Sequence, residues 1–158
     1  MVVVADSSPL RYLIVLGEQN LLPELLGEVW IPSAVLEELS APATPAGVRA
    51  FLHSLPGWLK VRDPERQTLE GIAIELDRGE RSALALAREI GADLVLLDDA
   101  AARTQARSLG FRITGTIGFL RLAAERGLIH VPAIVEQLRQ SGFCLSESLI
   151  HTAFGEWL

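Results

Sequence analysis

Apolar residues in this chain fall into short clusters that switch between a strand period and a helix period. Val2-Val3-Val4-Ala5 is a β-branched run with the composition of a strand covered on both faces. Ser8 then offers an N-cap and Pro9 a first helical position. A mostly apolar helix follows over Leu10–Leu16, closed by Gly17. Leu21–Leu26 reads as a second short helix stopped at Gly27, and Glu28-Val29-Trp30-Ile31 as a short strand. Pro32 starts a helix over Ser33–Leu39 that buries Val35, Leu36 and Leu39. Pro42 and Pro45 mark a loop, Val48–Leu55 a helix and Leu59–Val61 an edge strand. Arg62 to Thr68, polar and interrupted by proline, predicts a mobile segment.

In the second half, Asp77-Arg78-Gly79-Glu80 opens a helix carrying Ala83, Leu84, Ala87 and Ile90 at the helical period, with Gly91 at its end. Asp93–Leu97 predicts a buried strand, Ala100–Leu109 a helix, Phe111–Thr114 a strand and Ile117–Arg126 a helix. Two amphipathic helices, about Pro132–Gln140 and Ser146–Trp157, complete the chain without recognisable chemistry. Strands alternating with helices predict an α/β domain with a parallel sheet covered on both faces. Right-handed crossovers bring the carboxyl ends of its strands to one edge, where open α/β sheets bind ligands.

At 158 residues and 49% apolar, the chain is expected to form one domain, with a core over about 2–120 and a helical extension over about 130–157. No run of 18 apolar residues occurs and no basic leader precedes an apolar stretch, so neither a membrane span nor a secretory signal is read. Cys144 is the only cysteine, expected as a small buried side chain, and a cytoplasmic setting fits it. A net charge of −6 and a single lysine, Lys60, exclude a protein that grips nucleic acid by bulk positive charge. They leave room for an enzyme acting on phosphodiesters, with acids gathered in a metal site and arginines meeting phosphate. His53, His130 and His151 are dispersed and share no zinc-ligand spacing with Cys144.

The acids are where chemistry enters. Asp6 stands where the first strand turns into a helix, and Asp98-Asp99 repeat that arrangement after the Asp93–Leu97 strand. Each has an ordinary alternative as a turn or cap residue, and one of the doublet is expected to cap the following helix. Glu80 lies in a first helical turn, where the helix dipole alone favours an anion. Glu38 borders the buried stripe of its helix while Glu37 points toward solvent, and both also suit a plain solvated face. Four carboxylates without histidine or thiolate form a hard-oxygen set suited to Mg²⁺ or Mn²⁺. So many like charges at one edge need a cation or raised pKa values.

Four segments in order resemble the PIN-domain family of Mg²⁺-dependent ribonucleases: Asp6-Ser7-Ser8-Pro9-Leu10, Ile31-Pro32-Ser33-Ala34-Val35-Leu36-Glu37-Glu38-Leu39, Gly79-Glu80-Arg81-Ser82-Ala83-Leu84-Ala85-Leu86-Ala87 and Leu96-Leu97-Asp98-Asp99-Ala100-Ala101-Ala102-Arg103. They span roughly residues 2 to 120. The Gly115-Thr116-Ile117-Gly118 turn and the Gly142-Phe143-Cys144-Leu145-Ser146 segment resemble a bacterial and archaeal PIN-like subfamily. The resemblance implies a three-layer α/β/α PIN-like domain with a central, mainly parallel sheet. It also implies an acidic site of Asp6, Glu38, Glu80 and Asp99 or Asp98, holding one or two Mg²⁺ (or Mn²⁺) ions directly or through water. Ser8, or Ser7, supplies the accompanying hydroxyl. Hydrolysis of single-stranded or looped RNA follows as the implied activity.

Arg103 and Arg107, one helical turn apart, are then candidates for contact with the RNA backbone, or else members of a solvated face. Family members commonly act as toxins beside an antitoxin protein and commonly dimerise. The apolar helices Leu10–Leu16 and Val48–Leu55 are the expected surfaces for such partners. The competing expectation is a PIN-like module that binds RNA or protein without cutting. A phosphoacceptor receiver-like domain is disfavoured because Lys60 sits in mid-chain, and a dinucleotide enzyme because no Gly-x-Gly-x-x-Gly follows the first strand.

Overall fold

Val3–Ala5 forms strand β1, and all three of its side chains are fully buried, as a β-branched run between two helical layers requires. The computed structural model describes all 158 residues. Helices α1 (Ser7–Val15) and α2 (Leu21–Leu26) lead to β2 (Val29–Ile31), then α3 (Ser33–Leu39), α4 (Ala46–Leu52) and β3 (Leu59–Val61). Next come α5 (Arg66–Glu70), α6 (Arg78–Ile90), β4 (Leu94–Leu96), α7 (Ala100–Ser108) and β5 (Ile113–Thr114). The chain ends with α8 (Thr116–Glu125), α9 (Val131–Gln140), α10 (Glu147–Phe154) and a 3-10 turn over Gly155–Trp157.

The five strands lie in the order β3-β2-β1-β4-β5 and all pairs are parallel. Helices cover both faces, giving the three-layer α/β/α architecture. Strand β1 is central, with Val4 opposite both Trp30 and Val95. The order reverses beside it, between the β2 and β4 sides, and a crevice opens there past the carboxyl ends of the strands. The ladder runs to the very brink of that crevice: the Asp6 N–H donates to the Leu96 carbonyl at 2.9 Å and the Leu97 N–H to Thr114 at 2.9 Å. Backbone pairing thereby fixes where the acids after β1 and β4 begin.

The apolar interior forms one cluster of 37 buried residues. It includes Val131, Ile134, Val135 and Leu138 from α9 and Ile150, Ala153 and Phe154 from α10. The C-terminal helices thus join the same core as the sheet, and the loop between them is carried back against the crevice.

Two expectations are corrected by the fold. Helix α1 begins at Ser7 with Asp6 in the N-cap position, two residues earlier than the Ser8 cap read from the sequence. Arg62 to Thr68 is tied down, because its polar groups find partners distant in sequence. The Arg62 N–H reaches the Ile31 carbonyl at 3.0 Å, and the Glu65 N–H reaches Glu89 at 2.8 Å. Asp63 accepts from both the amide (2.7 Å) and the hydroxyl (2.8 Å) of Ser33, capping α3 from another strand end. Asp63→Ala is expected to lower stability by about 1 kcal/mol in urea unfolding, the ordinary worth of such a cap. Helices α1 and α4, the expected partner surfaces, direct most of their apolar residues to each other and to the core. Leu10, Leu13, Leu16 and Val48 are buried, Phe51 and Leu52 half-buried, and Val15 alone is markedly exposed. Most of the apolar surface of these two helices thus packs inward.

Candidate active site

Each acid at the crevice is placed by a backbone transition. Asp6 follows the last residue of β1 in extended conformation and stands at the N-cap of α1, yet its side chain caps nothing. Its residue is only 5% exposed, and its Oδ1 is buried without any hydrogen-bond partner. Burial raises its pKa to about 7, the Ser7 amide opposes that, and the carboxylates of Glu38, Asp77 and Asp98 add to the rise. A buried carboxylate oxygen with no donor is costly unless a proton or a cation takes the place of the donor.

Glu80 enters from the first turn of α6. It forms a capping box with Asp77: the Glu80 N–H donates to Asp77 Oδ1 at 2.8 Å, and the Asp77 N–H to Glu80 Oε1 at 3.2 Å. Its pKa is likewise raised to about 7, chiefly by burial, then by the charges of Asp77, Asp99 and Asp6 and against the Asp77 amide.

The doublet divides its work. Asp99 is the N-cap of α7, its Oδ2 accepting from the Ala102 N–H at 2.9 Å, which leaves Oδ1 open. Asp98 is engaged at both oxygens: Ser8 Oγ donates at 2.8 Å, the Thr116 N–H at 2.7 Å and the Thr116 hydroxyl at 2.7 Å. Asp98 therefore brackets α1 to the start of α8. Thr116→Val keeps the shape and removes one donor. It is expected to cost about 1–3 kcal/mol by thermal unfolding, because Asp98 then loses one of its three donors.

Asp6, Asp77, Glu80, Asp98 and Asp99 together line one hollow of about 450 Å³, with Ser7, Ser8, Tyr12, Phe143 and Cys144 completing its wall. No basic side chain lines it. Glu38 stands outside that lining, on the solvent side of α3. There it accepts a hydrogen bond from Ser7 Oγ at 2.6 Å, and its carboxylate lies so close over Gly79 that a Cβ there would overlap it. Glu37 faces outward and pairs with Arg78. Arg103 borders a neighbouring hollow beside Asp98, and Arg107 is exposed further along α7.

Several residues of the hollow escape a reading of the sequence. Asp77 is the nearest to legible, since Asp77-x-x-Glu80 has the spacing of a capping box. Tyr12 carries no such signal. Phe143 and Cys144 belong to the C-terminal third, where the sequence shows no chemistry, and Cys144 is exposed rather than a buried core thiol. The exposure follows from its position in the loop between α9 and α10 that walls the hollow.

A PIN-domain family model matches residues 2–157. The chain belongs to the PIN-domain family. None of the curated proteins compared with it matches. PIN domains have a nuclease-like fold and typically use divalent metals, which makes the acidic crevice the candidate cation site. The donor set fits: it is all carboxylate and hydroxyl oxygen, and it includes the orphaned Oδ1 of Asp6. No three acids converge closely enough to enclose an ion by themselves. Water-mediated coordination suits such spacing, and Mg²⁺ keeps several of its waters. No helix is long and apolar enough to cross a membrane.

Proposed function

We propose that this PIN domain is a Mg²⁺- or Mn²⁺-dependent endoribonuclease, working in the cytoplasm as the toxin-type component of a toxin–antitoxin pair and as a homodimer. The observation that carries the nuclease reading is the way the acids divide their oxygens. Asp99 and Glu80 each have one oxygen held by a backbone amide and one open, and Glu38 has one oxygen held by Ser7. Asp6 presents an oxygen with no partner at all. Side chains anchored at one oxygen and open at the other are preorganised ligands, held in place before a cation arrives. The toxin role and the dimer rest on the family resemblance alone.

In this reading Asp6, Glu80, Asp99 and, from the rim, Glu38 hold the cation, and Asp98 positions Ser8 and the start of α8. A bound divalent cation lowers the pKa of a water and neutralises charge on the phosphate. Ser8, fixed by its donation to Asp98, keeps its oxygen lone pairs free to accept from a water. Asp6 and Glu80, both with pKa values raised to about 7, are able to exchange a proton near neutrality when no cation holds them.

Incubation of a mixed single-stranded RNA pool with Mg²⁺ or Mn²⁺, against an EDTA control, tests the activity. Internal cuts that depend on the cation are expected. A folded, cation-loaded protein that leaves the pool intact would favour the alternative, a PIN-like module that binds RNA or a protein partner without cutting. The failure of any three acids to enclose an ion is the observation on that side.

A further inference from the structure

Beside the acidic hollow lies a second one, and the two share a wall. Asp98, Phe143 and Cys144 line both. The second hollow measures about 590 Å³, and Ile113, Ile117, Phe143 and Leu149 give it apolar sides. Its floor stays open because two glycines carry no side chain. A Cβ at Gly115 would lie 2.7 Å from Asp98 Oδ1 and 3.0 Å from Arg103 Nη1, and one at Gly118 would lie 2.5 Å from Thr114 Oγ1.

Two arginines reach this hollow, and only one is spent. Arg121 pairs with Glu125 and Glu156 and donates to the carbonyls of Thr152 and Ala153. Arg103 forms no ion pair with any carboxylate. At the partition between the hollows, the Phe143 ring meets the Tyr12 ring edge-on at 4.7 Å and 87°. Tyr12 lines the acidic side and Phe143 both sides.

We propose that the second hollow is a nucleotide subsite for single-stranded RNA, taking the base next to the phosphate that lies in the acidic hollow. The position of that phosphate rests on the nuclease reading above. The base lies against Phe143 and Ile117, and Arg103 meets the adjoining phosphate. Three features favour a nucleotide. An RNA strand alternates apolar rings with charged phosphates, and this surface alternates an aromatic and aliphatic wall with one guanidinium that forms no ion pair, although Asp98 stands near it across Gly115. A chain with net charge −6 and five acids in one hollow repels a phosphodiester, so Arg103, the arginine at the border without an ion pair, is where attraction is gained. Of the strongly exposed large hydrophobic residues, only Leu149 lines this hollow, too little for an amphipathic helix of a protein partner to settle on.

The test uses full-length protein carrying Asp6→Asn, titrated in Mg²⁺ with fluorescein-labelled single-stranded RNA pentamers and read by anisotropy. Adding Phe143→Ala is expected to weaken binding by roughly fivefold to a hundredfold, the usual worth of one stacked base. Phe143→Trp restores it. Arg103→Ala also weakens binding and lowers the slope of log affinity against log salt by about 0.7, one phosphate contact on a single strand. Arg126→Ala, at the far end of α8, leaves affinity unchanged. Arg103→Glu reads the same subsite should truncation at Phe143 unsettle the fold, which thermal unfolding reports.

Unchanged pentamer affinity in folded Phe143→Ala and Arg103→Glu proteins overturns the subsite, as does an absence of pentamer binding at low salt. The two readings fail separately. Metal-dependent cutting by proteins with and without the Phe143 and Arg103 changes alike would remove the subsite and leave the nuclease. Pentamer binding lost in those variants, with no cutting by the unmutated protein, would keep the subsite and remove the nuclease.

Discussion

Replacing Asp6 by asparagine is expected to do two opposite things at once: abolish metal-dependent cleavage and stabilise the metal-free protein. The activity loss should be at least about a hundredfold in initial rate of RNA cutting, since the acid with the unpartnered oxygen is removed from the cation site. The gain in stability comes from the same burial. A carboxyl whose pKa is lifted from 3.8 to about 7 carries its charge at pH 8 against its surroundings, and a tenfold change in proton affinity corresponds to about 1.4 kcal/mol. Asparagine keeps the shape without the charge. In EDTA at pH 8 the variant should therefore gain about 2–4 kcal/mol in chemical denaturation. A variant that loses cleavage and is also less stable in EDTA would show that the Asp6 charge is not strained in the fold, and that the loss reflects damage.

Stability of the unmutated protein should fall as pH rises from about 4 to above 7 in the absence of divalent cations. The sign follows from proton counts. With folded pKa values near 7 against 3.8 and 4.5 unfolded, Asp6 and Glu80 bind more protons in the folded state across that window. Raising the pH then favours the unfolded chain, and the contribution of these two groups is fully present only below about pH 4. This is the reverse of ordinary acid denaturation, where paired carboxylates lose their partners on protonation.

A divalent cation replaces the proton. Mg²⁺ should raise the melting temperature strongly at pH 8 and hardly at pH 5, with about 2.7 kcal/mol gained at a hundred times its dissociation constant. Differential scanning fluorimetry across pH, with and without Mg²⁺, measures both slopes. An equal Mg²⁺ effect at pH 5 and pH 8 would mean that the cation binds elsewhere than at these acids.

Much of the fold was legible because it is local. A strand covered on both faces needs an unbroken apolar run, and Val2 to Ala5 has no other way to be buried. Helix ends were readable where a side chain or a glycine terminates the ladder, as Asp77 and Gly91 do for α6. From such boundaries the acids after β1 and β4, and the one opening α6, are assignable to one sheet edge by pattern alone. The α5 helix was not legible. Arg66 to Glu70 buries none of its residues and is held by contact with α6, which no pattern within the segment announces.

Between Asp98 and Asp99 the sequence offers only motif alignment, which favours Asp99, for a similar reason. Adjacent residues after one strand share every local signal. They differ only in what comes to meet them: Ser8 and Thr116 for Asp98, the first turn of α7 for Asp99. Phe143 and Cys144 reach the crevice only because α9 and α10 bury their apolar faces in the common core and carry the intervening loop there. The sequence by itself determined the parallel α/β plan and the acids that its strand and helix ends project, since both follow from local periodicity and right-handed crossovers. Tertiary structure alone decided which oxygens are anchored, which are left open and which distant side chains wall the site, because those depend on partners tens of residues away that local patterning does not encode.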